Sequence, residues 1–407
     1  MPEKEVAKFS IKYLQVLDEH GKVDKKLEPK IANNVLIQMY TNMLRARMFD
    51  QKCIKMQRQG RMGTFAPVTG QEACQVGPCT ALNKTDWFVP AFRELAGFLT
   101  RGASMKNIAI VMMGNEIGGQ GPKGSRDLNT AVPVASQTLH AVGLAHAMKY
   151  KNENSAALCF FGDGATSEGD FYEALNWAGV YSLPVIFFNQ NNQWAISLPR
   201  KEQTHAETLA QKAIAGGIEG LQVDGNDILG CYVATKRALD KAKKGKGPTL
   251  IEGLTYRMEM HTTADDPKKY RSEKEVKEWA KKDPILRFEK YLTHKKLLNT
   301  KKIKKIQEEA QKEIDQAMKD AEAAPLPTLK DMFQYIYAEM DPYLEEQLAG
   351  LKVLKDHKDA EEKAKKPEDK PKHELEAQSK QRLDVRQGKA LTAPPKKEDL
   401  KQHARTL

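Results

Sequence analysis

No stretch of this 407-residue chain approaches the run of about 20 apolar residues that a membrane span needs. The N-terminus, Met1-Pro-Glu-Lys-Glu-Val-Ala-Lys, is charged from the outset and lacks the apolar core of a secretory signal, so a cytoplasmic location is expected. Cysteine is sparse: Cys53, Cys74, Cys79, Cys159 and Cys231 are scattered, odd in number and contain no C-x-x-C pair. Neither a disulfide framework nor a zinc site is indicated. Aromatic residues are absent after Leu351, and the formal charge of +11 is unevenly placed, with 16 basic and 11 acidic residues between Lys352 and Leu407. Acidic residues interleave these lysines and no aromatic is available for base stacking, so no nucleic-acid partner is expected.

With 40% hydrophobic residues the chain can bury a substantial core. Residues 1–30 are polar and loosely patterned, an arm leading into a domain. A helical pattern starts near Ile31. Between about Asp86 and Gly253, short apolar runs at 156–161 and 183–188 alternate with helical patterns at 138–148 and 169–180. That alternation marks strand–helix–strand units of a parallel sheet flanked by helices, an α/β fold. Beyond Pro267 the spacing of Ile303, Ile306, Ala310, Ile314, Ala317 and Met318 predicts a helical C-terminal region, continued through Phe333 to Met340. The domain is expected to span 31–350. The tail, 351–407, is rich in Lys, Glu, Asp, Ala and Pro and is expected to be disordered with transient helix.

The strongest local signal is Gly162-Asp163-Gly164, at the end of the apolar run Ala156 to Phe161. Asp163 therefore falls beyond the carboxyl end of a buried strand, where open parallel sheets bind ligands. Flanking glycines let backbone amides approach an anion, and a helix N-terminus follows. The next strand ends at Phe188, and Asn192 lies 29 residues after Asp163, about one strand–helix–strand unit later. One carboxylate and one amide oxygen, completed by diphosphate oxygens, a backbone carbonyl and water, suit Mg²⁺ on a phosphorylated cofactor.

The full string, Gly162-Asp-Gly-Ala-Thr-Ser-Glu-Gly-Asp-Phe-Tyr-Glu-Ala-Leu-Asn-Trp-Ala178 with Leu183-Pro-Val-Ile-Phe-Phe188 and Asn191-Asn-Gln-Trp-Ala-Ile-Ser197, closely resembles the thiamine-diphosphate motif of a known family. These are the alpha subunits of the first, decarboxylating component of 2-oxo-acid dehydrogenase complexes. The likeness extends to Gly60-Arg-Met-Gly-Thr-Phe-Ala-Pro-Val-Thr-Gly-Gln-Glu-Ala73, to Pro90-Ala-Phe-Arg93, and to Thr249-Leu-Ile-Glu252 with His261-Thr-Thr-Ala-Asp-Asp-Pro267. It covers roughly residues 30–350 and is greatest for the pyruvate type of bacteria.

The resemblance implies a thiamine-diphosphate-binding fold and the cofactors thiamine diphosphate and Mg²⁺. It implies that Asp163, Asn192 and the carbonyl of Trp194 bind the metal. Phe92, Arg93, Gly164 and Ala165 would hold the diphosphate region, Val134 would face the aminopyrimidine, and Phe65 would line the substrate pocket. His261, in a mobile loop, would be catalytic; an unperturbed imidazole pKa near 6.5 suits proton delivery at neutral pH. Thr262 and Thr263 occupy the region phosphorylated in some relatives, without its serine. The family's Gly-rich loop before the aminopyrimidine contact commonly carries a histidine, which the segment Gly118 to Asn129 lacks; Lys123 or Arg126 is the substitute cation to look for. The partners implied are a beta subunit, in an assembly of two alpha and two beta chains, and a lipoyl-bearing acyltransferase component. The reaction implied is oxidative decarboxylation of pyruvate with reductive acetylation of the lipoyl group, or the same reaction on branched-chain 2-oxo acids.

Overall fold

The computed structural model describes residues 3–364. The chain divides into two compact units between Pro325 and Leu326, inside the span read from sequence as one domain. In chain order the elements of the first unit are β1 (Lys12–Leu14), α1 (Asn33–Arg58), α2 (Glu72–Ala81), β2 (Trp87–Val89), α3 (Leu95–Thr100), α4 (Met105–Met112) and α5 (Ser136–Tyr150). They continue with β3 (Ala157–Gly162), α6 (Gly169–Val180), β4 (Val185–Asn191), the short strands β5 (Trp194–Ala195) and β6 (Leu198–Pro199), and α7 (Arg200–Gln203). The unit ends with β7 (Glu219–Asp224), α8 (Ile228–Lys243), β8 (Thr249–Leu254), α9 (Glu273–Ala280), α10 (Pro284–His294) and α11 (Thr300–Glu322).

Six strands form one sheet in the order β1-β7-β8-β4-β3-β2, every neighbouring pair parallel. The central strands β3 and β4 are apolar on both faces, as a doubly covered sheet requires. Leu158, Phe160, Ile186 and Phe188 enter the core shared with α1, α2, α3 and α8, whereas Cys159, Phe161, Val185 and Phe187 pack with α5 and α6. Because all strands run the same way, the loops after β2, β3, β4 and β8 emerge at one edge. Arg93, Asp163, Asn192 and His261 lie on those four loops.

Three expectations change. The N-terminal arm contributes a strand: β1 pairs with β7, and Asp227 accepts the amides of Val16 (2.6 Å) and Leu17 (2.8 Å), fixing the chain against α8. In the second unit, residues 333–340 do not continue a helix; a single 3-10 turn, Lys330–Met332, is followed by turns and bends. Within this stretch the Asp331 carboxylate accepts from both the amide and the hydroxyl of Thr328, a local side-chain turn that competes with helix. A helix, α12 (Pro342–Ala364), then runs past the expected boundary at 351. The remainder of the tail expectation, residues 365–407, lies outside the described residues.

Candidate active site

Asp163 leaves the end of β3 in a 3-10 turn, Asp163–Ser167, that precedes α6. Its carboxylate is buried and accepts from Gln203 Nε2 at 2.8 Å. Burial raises its pKa, against the stabilising pull of Gln203, the Asn192 amide and the Arg257 charge. A carboxylate held at such a cost in low dielectric favours a cation as companion. Gly164 has no room for a side chain, since a Cβ there would stand 2.9 Å from that of Ala195. Ala165 follows it, also buried. The tight turn thus brings bare backbone to the crevice.

Across the crevice Asn192 follows β4. Its side-chain nitrogen donates to Gln71 Oε1 at 3.0 Å, and its oxygen accepts from the Trp194 amide at 3.2 Å. Two residues of the next turn, Gln193 and Ile196, have φ of 74° and 54°; for a β-branched isoleucine this is strained backbone. The turn aims the carbonyls of Trp194 and Ile196 at the Arg257 guanidinium, at 3.2 and 2.6 Å. Both carbonyls therefore already face positive charge.

Arg93, behind Phe92, is buried and donates to the Pro67 carbonyl at 2.7 Å. Its second terminal nitrogen lies 3.0 Å from His261 Nδ1, and Arg257 Nη1 lies 3.3 Å from the same atom. Desolvation and the neighbouring Arg257 push Arg93 down to about 10. Burial, Arg93 and Arg257 together push His261 down to about 4. With two guanidinium donors at Nδ1, the imidazole is neutral and carries its hydrogen on Nε2. This differs from the unperturbed imidazole expected from sequence, and the cause is burial together with the arginine pair. The Phe92 ring meets the His261 ring edge to face at 6.0 Å.

The structure gathers most of the sequence-derived set, with differences of detail. Phe65 is buried and exchanges two hydrogen bonds with Thr263, 3.0 Å from its amide and 2.8 Å to its carbonyl, so it pins the His261 loop from behind. Val134 is 51% exposed, in the segment that passes Ala91 and leads into α5. Arg126 is not a substitute for the missing histidine: it pairs with Glu153 and also donates to the Thr85 carbonyl at the opposite end of β2. Lys123 is exposed.

Sequence reasoning passed over Gln71, Gln203 and Arg257, because nothing in composition or spacing shows which polar side chains a fold turns inward. Gln71 lay within a quoted motif and Arg257 four residues before His261, the only signals available. Among the described residues, the buried Nε2 of Gln71 and Nε of Arg257 have no hydrogen-bond partner. Orphaned donors on both sides of Asn192 and Trp194 fit a ligand with several acceptor oxygens.

Among the described residues no group of three His, Cys, Asp or Glu side chains could hold a metal ion. A cation at Asp163 would therefore depend on oxygens from carbonyls, the Asn192 amide and a bound anion, the donor set that suits Mg²⁺ on a diphosphate.

The dehydrogenase E1 component family matches residues 40–330 of the chain. The pyruvate dehydrogenase E1 component subunit alpha of Acholeplasma laidlawii is 46% identical over 333 residues, covering 81% of this chain and 96% of that protein. The protein of the same name from Staphylococcus aureus is 43% identical over 336 residues, 82% of this chain and 91% of that one. That from Staphylococcus epidermidis is 42% identical over the same length. An α/β fold with its acidic, amide and guanidinium groups converging at one sheet edge, and this likeness over most of its length, establish that the chain belongs to the dehydrogenase E1 component family.

Proposed function

We propose that the chain is the alpha subunit of a pyruvate dehydrogenase E1 component, binding thiamine diphosphate and Mg²⁺ and acting in the cytoplasm with a beta subunit. The observation that carries this reading is the convergence of Asp163, Asn192, the Trp194 carbonyl and Arg93 on one crevice, in a chain 46% identical to an alpha subunit of that name. That name favours pyruvate over branched-chain 2-oxo acids. Five buried free cysteines suit a reducing compartment.

When bound, thiamine diphosphate supplies the carbon nucleophile and electron sink for loss of carbon dioxide from the 2-oxo acid. The chain's own residues anchor it. Asp163, Asn192 and the Trp194 carbonyl would hold the metal, with Gln203 releasing the Asp163 carboxylate. Arg93, with Phe92, Gly164 and Ala165, would hold the diphosphate, whose charge offsets that of Arg93. With Arg93 so neutralised, His261 would recover the part of its basicity that Arg93 removes and would deliver a proton to a lipoyl sulfur during acetyl transfer. Phe65 would act by holding the His261 loop beside the substrate pocket, and the exposed Val134 would face the aminopyrimidine.

Val132, Val134, Leu139, Tyr150, Trp177 and Val180 are exposed on and before α5 and on α6. Apolar side chains left open along helices that begin beside a site support burial of those helices against another chain, here a beta subunit in a two-alpha, two-beta assembly that passes its acyl group to a lipoyl-bearing acyltransferase component. The test is reconstitution. The purified chain alone should show no decarboxylation with an artificial electron acceptor, and adding the beta subunit, thiamine diphosphate and Mg²⁺ should produce it, fastest with pyruvate in a panel of 2-oxo acids. Asp163→Ala and Asn192→Ala should each abolish calorimetric cofactor binding while melting stays near wild type. Activity of the isolated chain, or wild-type affinity in both variants, refutes the reading.

A further inference from the structure

Beneath the crevice lies a polar cluster whose side chains bond one another and the Arg93 backbone, and which reaches the proposed metal site through the Gln190 carbonyl, acceptor of the Asn192 amide at 2.9 Å. Glu94, Gln190 and Gln75 are each 2% exposed or less, at the end of a face otherwise filled by Phe160 and Phe188. Gln190 Nε2 donates to Glu94 Oε1 at 2.6 Å, and the Arg93 amide donates to Glu94 Oε2 at 3.0 Å. Gln75 Nε2 donates to Gln190 Oε1 at 2.9 Å and to the Arg93 carbonyl at 3.0 Å, while its oxygen accepts the Ala96 amide at 3.0 Å. In register, Gln190 sits between Gly162 of β3 and Gly253 of β8, so no neighbouring side chain fills the space that its amide needs.

Every side-chain oxygen and nitrogen of the three has a partner, in contrast to Gln71 and Arg257 on the other side of the crevice. A satisfied buried network with a charge-assisted member rigidifies the backbone that it joins. The backbones joined here are those of Arg93, which Glu94 follows directly, and of Asn192, two residues beyond Gln190 on the β4 exit. Keeping a carboxylate in this place is costly: desolvation pushes Glu94 up to about 7 despite the Arg93 amide, Gln190 and the Arg93 charge. A well-packed apolar trio would be as stable or more so, so stability alone does not account for the arrangement.

We propose that Glu94, Gln190 and Gln75 are positioning residues that fix the spacing between Arg93 and Asn192, and thereby between the diphosphate-binding and metal-binding halves of the cofactor site. The inference rests on the cofactor reading above. The hydrogen-bond pattern makes a specific demand: one carboxylate and one amide must face each other at positions 94 and 190. In Glu94→Gln an N–H must face either the Arg93 amide or the Gln190 amide, and one bond is lost in every rotamer. The exchanged pair, Glu94→Gln with Gln190→Glu, swaps the two groups. The side-chain amide then at position 94 donates to the carboxylate at position 190 and accepts from the Arg93 amide, that carboxylate accepts from Gln75, and every bond is restored.

The experiment uses the chain assembled with its beta subunit, and measures Mg²⁺–thiamine diphosphate affinity by calorimetry, kcat at saturating cofactor, and amide exchange at Arg93, Ala96 and Gly97. Glu94→Gln should weaken cofactor affinity by about 10- to 100-fold, the worth of one charge-assisted bond, and speed those exchanges, with kcat at saturation within about twofold of wild type. The exchanged pair should return affinity to within about threefold. Glu94→Gln with wild-type affinity, or an exchanged pair no better than the single variant, overturns the proposal. Should the single variant fold poorly, the exchanged pair and Gln190→Met, for which the same loss is expected, decide the matter. A wild-type assembly that does not bind the cofactor would overturn the cofactor reading, and this inference with it.

Discussion

His261 shows how far a residue's chemistry is set by what the fold places beside it. A histidine in a polar loop reads as a titratable group near neutrality, yet burial, with Arg93 and Arg257 both approaching its Nδ1, holds it down at about 4. The linkage sign follows: an unfolded imidazole takes up its proton near pH 6.5 and the folded one only near 4, so this group costs the fold stability progressively as pH falls through that window. An anion that neutralises Arg93 should remove that residue's part of the shift, leaving the parts due to burial and Arg257. Proton NMR should show the His261 imidazole titrating near 4 in the free chain and at a clearly higher pH with Mg²⁺–thiamine diphosphate bound. His261→Ala should lower acyl transfer to a lipoyl substrate by about 10²–10⁴, the range for lost general acid catalysis, and slow decarboxylation with an artificial acceptor much less. Equal losses in the two assays would assign His261 to substrate binding or loop shape instead.

At the scale of elements, the sequence was most legible where one pattern answers to one environment. The apolar runs at 156–161 and 183–188 became β3 and β4, because a strand covered on both faces needs unbroken apolar residues, and α5 and α6 fall on the helical patterns that precede each of them. Asp163 and Asn192 were legible for the same reason, since the ends of such strands define the crevice. β1 was not, because Lys12-Tyr-Leu14 is too short and polar to announce a strand; what holds it is remote in sequence. Asp227 accepts the Val16 and Leu17 amides and also caps α8 through the Leu229 amide at 3.0 Å, and Arg287 reaches the Leu17 carbonyl. Asp227→Ala would leave two buried amides without acceptors and α8 without its cap, a loss of about 3–5 kcal/mol. Urea denaturation should show that loss, and limited proteolysis should cut first within residues 3–17. A variant within about 1 kcal/mol of wild type, on the order of one hydrogen bond, would mean that β1 is held by its pairing with β7 instead.

At the scale of the whole molecule, the apolar surface of the sheet-covering helices is divided between the core and solvent. The core faces of α5 and α6 are closed, with Ala141, Ala145, Phe171 and Ala174 packed against β3 and β4. Their outer faces carry Leu139, Tyr150, Trp177, Val180 and Tyr181 around Gly143, with a concavity of about 610 Å³ between the helices. Nothing in the patterning of these helices separates an apolar residue of the core from one left exposed, so sequence alone did not reveal this face. Trp177 is half exposed, and its indole donates to His146 at 3.2 Å and lies 5.5 Å from the Tyr181 ring. Replacing it should cost the isolated chain little, whereas a buried charge without a partner at an interface is expensive. Trp177→Glu should therefore leave the melting temperature of the isolated chain within a few degrees of wild type and weaken association with the beta subunit by at least about tenfold, the scale of a modest hot spot. Sedimentation velocity of the mixed chains measures the second quantity. Association of wild-type strength would remove the outer face of α5 and α6 from the beta contact and place that contact on another surface of the chain.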